Sequence, residues 1–219
     1  MRKNIRYLLY LIVLTVSIYA DAGAFDDFFS AIRVDDASSL QSLLKRGFDP
    51  NTRNPKGLSG LYLALREPSP KAARVLIEWP TTDLEARTEK DESALMIAAL
   101  DGRMELAQLL IDKGAHVNKT GWTPLHYAAT NGHLDVMRLL LDRYAYIDAE
   151  SPNSTTPLMM AARYGTAAAV KLLLDEGADP LLKNQLGLNA IDFANQVDRK
   201  EIADLIAARV RLSLPKGKW

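Results

Sequence analysis

Cysteine is absent from the 219 residues. That absence removes disulfides, Cys-ligated zinc, iron–sulfur clusters, thiol nucleophiles and lipid attachment through a cysteine. A charge excess is also missing, since 27 Lys and Arg balance 27 Asp and Glu. Proteins that bind nucleic acid by neutralising phosphates carry a basic surplus, so no nucleic-acid partner is expected. The apolar stretch 7–19, interrupted only by Thr15 and Ser17, has 13 residues, short of the ~20 that cross a bilayer as a helix. What remains is 48% hydrophobic and 25% charged, an ordinary globular composition. At ~100–200 residues per domain, the length suits one domain or two small ones.

Arg2, Lys3 and Arg6 precede the apolar stretch, and the small-residue sites Ala20-Asp21-Ala22 and Ala22-Gly23-Ala24 follow it. Basic start, short apolar centre and small-residue exit describe a secretory signal over 1–22, cut near Ala22 or Ala24. The alternative is an uncleaved anchor. An exported, cysteine-free, nearly neutral chain fits a bacterial periplasm, with no stable membrane insertion once the signal is removed.

The body of the chain repeats itself. Thr123-Pro124-Leu125-His126-Tyr127-Ala128-Ala129 recurs as Thr156-Pro157-Leu158-Met159-Met160-Ala161-Ala162, and more loosely from Ser93, Ser59, Asn189 and Asp26. These copies start at 26, 59, 93, 123, 156 and 189. A second landmark (Gly47, Pro80, Gly114, Tyr144, Gly177) follows each of the first five starts by 21 residues. A constant offset held five times marks a structural repeat.

Each 21-residue block reads as two short helices. Thr123 is placed to cap the first helix, Pro124 fits the first helical position, and His126 is three residues past the cap, as in a capping box. Gly132 separates the helices, and Val136, Leu139 and Leu140 give the second an apolar stripe. Gly114 and Gly177 then end the second helix in a left-handed conformation.

These residues, with Asn131-Gly132-His133, Leu139-Leu140-Leu141 and Gly177-Ala178-Asp179, resemble the ankyrin repeat. The resemblance implies an all-α repeat solenoid of about six repeats, helix–turn–helix pairs with β-turn fingers, over residues 23–210. A basic tail, 211–219, follows. It further implies a concave groove that binds a protein partner, lined by finger residues Leu58, Glu92, Trp122, Thr155 and Leu188. The ends of the inner helices add Arg66, Leu100, Thr130, Asn131, Arg163 and Tyr164, together with Arg33, Glu67 and Asp101. Trp122, Arg163 and Tyr164 stand out, because Trp, Tyr and Arg dominate interface hot spots.

Departures from the pattern carry information. Tyr144 stands at a glycine position, so it either accepts a left-handed backbone or the helix ends differently. Asp91 and Ser154 replace finger glycines. The third finger, from Gly114 to Thr123, is about three residues shorter than the others. Trp122 beside it either anchors a partner or folds back into the space left.

Catalytic chemistry finds no footing. The histidines are His116, His126 and His133. His126 is explained by capping, His133 by the turn, and His116 alone makes no metal site. Gly57-Leu58-Ser59-Gly60 lacks the spacing of a nucleophile elbow. The expectation is a non-enzymatic binding module without cofactor or metal, monomeric when unbound. It would act as scaffold, chaperone or modulator of an envelope protein, or as an immunity factor neutralising a toxin or enzyme. Mass spectrometry of the periplasmic fraction should find a chain starting at Gly23 or Phe25, whereas an intact Met1 chain in membranes would contradict export with cleavage.

Overall fold

The computed structural model describes residues 23–213. The proposed signal 1–22 and residues 214–219, with Trp219, lie outside the described residues. The chain divides into two compact units that meet between Asp83 and Leu84.

The first unit carries repeats one and two. Its helices are α1 (residues 23–33), α2 (Ala37–Lys45), α3 (Gly60–Arg66) and α4 (Pro70–Glu78). Asp36 caps α2, accepting the N–H groups of Ser38 and Ser39 at 3.0 Å each. The two serine hydroxyls also donate to this carboxylate and hold its pKa well below the usual range. Ser59 caps α3 through the Tyr62 N–H. Phe28, Ile32, Leu40, Leu65 and Leu76 form the core. At Gly60 a Cβ would lie 2.6 Å from the Phe28 ring, so only glycine lets α1 meet the start of α3 this closely.

The second unit carries repeats three to six. Its pairs are α5 (Ala94–Leu100) with α6 (Met104–Asp112), and α7 (Pro124–Asn131) with α8 (Leu134–Asp142). They continue as α9 (Pro157–Arg163) with α10 (Ala167–Asp175), and α11 (Ala190–Asn195) with α12 (Lys200–Ser213). The odd-numbered inner helices pack in one row and the even-numbered outer helices in a second. The architecture is the all-α helix-pair repeat that the 21-residue offset implied. Pro124 and Pro157 open α7 and α9 as expected, and Gly132 ends α7 at φ +70°.

Alanine makes the inner row tight. Ala98, Ala99, Ala128, Ala129, Ala161 and Ala162 are all fully buried. At Gly165 a Cβ would fall 2.3 Å from the Ala129 carbonyl oxygen and 2.9 Å from Ala161 Cα, an approach between neighbouring repeats that no side chain permits.

Backbone handedness repeats as strictly as the helices do. The residue two before each inner-helix cap (Gly57, Asp91, Gly121, Ser154, Gly187) has a positive φ, between 57° and 81°. Asp91 and Ser154 thus take the conformation of the glycines they replace. Tyr144 does the same at φ 62°, beside Gly47, Gly114 and Gly177 at 96–99°.

The described residues begin and end in helix. Asp26 sits inside α1. At the other end α12 runs to Ser213, past the expected limit at 210. Arg211 is therefore helical.

Urea melts should separate two substitutions at these special backbones. Gly165→Ala should cost about 1–3 kcal/mol, since the clash is with backbone that cannot move aside. Tyr144→Gly should gain about 0.5–1 kcal/mol, because the tyrosine is 85% exposed and holds a left-handed backbone that glycine adopts without strain. Equal and small effects at both sites would contradict the packing described.

Candidate functional site

Four of the five fingers close alike. Asn54, Thr88, Ser151 and Asn184 each accept, through a side-chain oxygen, the N–H of the residue just before the cap: Leu58, Glu92, Thr155 and Leu188. Each also donates its own backbone N–H to the carbonyl of that same residue. The short finger before α7 has Asn118 at this position, and Asn118 is engaged with the next finger: it donates to the Tyr144 carbonyl at 2.7 Å and accepts from the Tyr146 N–H at 2.8 Å. Closure falls instead to Lys119, whose ammonium donates to the carbonyls of Thr120 at 2.8 Å and Trp122 at 3.3 Å, and pairs with Asp91. Only 12% of the Lys119 side chain is exposed.

Beside this finger the inner helices leave a pocket of about 220 Å³, lined by Leu100, Trp122, His126, Tyr127, Thr130 and Met160. Leu100 comes from the end of α5, Tyr127 and Thr130 from one face of α7, and Met160 from α9. Trp122 is half-buried. It sets its ring edge-on to His126, centroids 5.1 Å apart and planes at 76°. Trp122 thus packs against His126 beside the short finger and also lines the pocket.

His126 forms the floor and is fully buried. Its Nδ1 lies 3.2 Å from the Thr123 backbone nitrogen and 2.9 Å from the Thr123 hydroxyl, and its Nε2 lies 2.8 Å from the Thr155 carbonyl oxygen. A backbone N–H only donates, so Nδ1 is the acceptor and Nε2 carries the proton to Thr155. One side chain thus caps α7 and ties repeat four to the finger of repeat five. Burial, reinforced by the Lys119 ammonium, pushes His126 down to about 4. The equivalent positions hold Met96, Met159 and Asp192, which accept the cap N–H and have no second donor.

Comparison with known proteins follows this geometry. Residues 71–151 match the family description "Ankyrin repeats (3 copies)", and residues 144–194 match "Ankyrin repeats (many copies)". This chain belongs to the ankyrin repeat family. An ankyrin repeat-containing protein of Treponema pallidum (strain Nichols) is 32% identical over 183 residues, covering 83% of this chain and 51% of that protein. Human transient receptor potential cation channel subfamily A member 1 is 31% identical over 166 residues, covering 70% of this chain and 15% of the channel. The chain thus spans about half or less of the length of these relatives. Among solved structures, a chain of the complex between a predatory endopeptidase of Bdellovibrio bacteriovorus and an immunity protein is similar. It gives a TM-score of 0.72 at 25% identity, covering 83% of this chain and 97% of that one. Ankyrin repeats are protein–protein interaction modules, and that coarse function is this chain's own.

The eleven partner-binding candidates divide on this ankyrin frame. Leu100, Trp122 and Thr130 share the pocket, and Thr130 donates its hydroxyl to the His126 carbonyl at 2.7 Å. Glu92 reaches the Tyr127 hydroxyl at 3.5 Å and the Thr88 hydroxyl at 3.2 Å. Arg163 and exposed Tyr164 end α9 and bond each other at 2.9 Å. Asn131 is exposed but spends its amide on the Leu100 carbonyl at 2.8 Å. Thr155 requires correction: it is 2% exposed, its N–H bonded to Ser151 and its carbonyl facing His126, so its place in the wall is structural. Leu58 and Arg66 lie in the first unit, and Leu188 is half-buried ahead of α11.

Several contributors lie outside the sequence candidates. Tyr127 and Met160 stand four residues after their caps, a position where Ile97 and Phe193 are buried. Counting this row as well as the helix ends would have found them. His133, read as a turn residue, reaches the Leu100 carbonyl through Nε2 at 2.9 Å. Gly102, at φ +65°, leaves room for its ring, which would lie 2.4 Å from a Cβ there. His116 is not free either: its N–H donates to Glu85 at 2.8 Å and its Nδ1 is 3.4 Å from the same carboxylate. Among the described residues no group of three or more His, Cys, Asp or Glu could hold a metal ion.

The His126 bridge gives a pH signature. Its folded pKa of about 4 lies below the ordinary 6.5, so the unfolded chain binds more protons between those values. Stability from this site is complete above pH 6.5 and lost as pH falls towards 4, about 3 kcal/mol in all. His126→Met, copying Met96 and Met159, should cost about 1–3 kcal/mol at pH 7 by orphaning the Thr155 carbonyl. Urea melts from pH 7.5 to 4 should show the deficit shrinking on acidification, while a constant deficit would contradict the neutral buried bridge.

Proposed function

We infer that this chain is a non-catalytic ankyrin module, exported to the periplasm, that docks an envelope protein on the inner face of repeats three to five as scaffold, chaperone or modulator. The observation that supports the reading is the pocket beside the short finger. Leu100, Trp122, Tyr127 and Met160 are each half-buried and leave apolar surface partly open in one pocket. Half-open Trp and Tyr next to an arginine have the make-up of an interface hot spot. Export rests on the residue pattern 1–24. Among the described residues no helix is long and apolar enough to cross a membrane.

A second reading is favoured by the likeness to the Bdellovibrio complex, in which an endopeptidase is held with an immunity protein. On that reading the partner is a toxin or hydrolytic enzyme of the envelope, and occupancy of the pocket blocks it.

Affinity capture from the envelope fraction, with the wild-type chain and Trp122→Ala side by side, tests the site. The account expects a protein captured by the wild type and lost by the variant, with circular dichroism melts close together. A captured protein retained at full affinity would remove the pocket from the interface. Loss of partner with collapse of the melt would make Trp122 a packing residue. Adding the pure chain to the captured protein then separates the readings, since inhibition of an enzyme supports the immunity role.

A further inference from the structure

The pocket has a neighbour that gives its occupant a charge. Arg163 lies one turn beyond Met160 on α9, on the same helix face. Its Nε donates to the Tyr164 hydroxyl at 2.9 Å, its Nη1 donates to the Gln196 side-chain oxygen, and the guanidinium lies 5.3 Å from the Tyr164 ring centroid. All three partners are neutral. They hold the guanidinium in place without cancelling its charge. Five arginines of the second unit are engaged differently: Arg87, Arg103, Arg143 and Arg209 sit against carboxylates, and Arg199 donates to the carbonyls of Ala161, Ala162 and Gly165. No carboxylate pairs with Arg163 among the described residues.

We propose that the occupant of this face is an extended segment of a partner protein that places one large apolar side chain in the pocket and an Asp or Glu on Arg163. The proposal rests on reading the face as the partner surface, and adds the chemistry the partner must present. The pocket walls of Leu100, Trp122, Tyr127 and Met160 select the apolar anchor. Arg163 selects a carboxylate, whose two oxygens match the guanidinium fork. Glu92 sets the direction. Its carboxylate lies on the finger side of Tyr127, so an acidic residue is repelled there and drawn towards the helix ends. One inner-helix spacing is ~8–10 Å, about three residues of extended chain at ~3.3 Å each. The acidic residue therefore follows or precedes the anchor by two to four positions.

Fluorescence anisotropy with synthetic peptides tests this on the intact chain. The probes are fluorescein-labelled nonapeptides of Gly and Ser carrying one Phe, with Asp, Asn or Lys placed two, three or four residues from it on either side. At one spacing the Asp peptide should bind about tenfold more tightly than its Asn and Lys counterparts, and Phe→Ser in the peptide should abolish binding. Arg163→Gln should bring the Asp and Asn peptides within about twofold while leaving Phe-dependent binding and the thermal melt in place. Phe-dependent binding in which Asn or Lys equals Asp, or an Asp preference that survives Arg163→Gln, overturns the acidic assignment and leaves the partner surface standing. Absence of Phe-dependent binding at millimolar peptide overturns both.

Discussion

An inner helix of six to eight residues cannot hold itself together in water, where isolated helices below ~12–15 residues are marginal. Its ends must be satisfied from outside, and here the neighbouring repeat does it. The Leu100 carbonyl at the end of α5 accepts from Asn131 and His133 of the next repeat. The carbonyls of Ala161, Ala162 and Gly165 at the end of α9 accept from Arg199. His126 answers the Thr155 carbonyl in the following finger. Fingers are joined in the same way: Asn51 bonds Thr81 and Asp83, Glu85 bonds His116, Asn118 bonds Tyr144 and Tyr146, and Asp148 bonds Asp179. Within each unit, neighbouring repeats complete one another in this way.

Function follows from what that arrangement leaves free. Alanines and caps fix the inner row, while the side chains four and seven residues after each cap differ in burial. In repeats three to five those positions hold buried Ile97 with Leu100, Tyr127 with Thr130, and Met160 with Arg163. The shortened finger lowers the adjoining edge and brings Trp122 against His126, so a structural bridge becomes the floor of a pocket. Lys119, almost buried, replaces the usual closure of the finger and also disfavours protonation of His126.

Much of the fold was legible because its signals are local. Ser, Thr and Asn caps, Pro at the first helical position and glycines at fixed offsets each act within a few residues, so the constant 21-residue offset placed every helix pair. Tyr144 stood out at a glycine position for the same reason, and of its two alternatives the left-handed backbone is the one present. At the site, Trp122, Leu100, Thr130 and Arg163 were named by resemblance to the usual contact positions of ankyrin repeats. Thr155 was misplaced because its burial depends on His126 from another repeat. Tyr127 and Met160 stand four residues after their caps, a row that is core elsewhere, as at Ile97 and Phe193, and the inter-finger bonds span about thirty residues and leave no mark inside one repeat.

Hydrogen–deuterium exchange of the chain, free and with its captured partner, tests the central claim most directly, because it maps contact without altering a side chain. The account expects slowed exchange in residues 97–101, 119–131 and 157–164, with α6, α8 and α10 unchanged. Protection confined to the outer helices, or to the first unit, would contradict a partner surface on the inner face of repeats three to five.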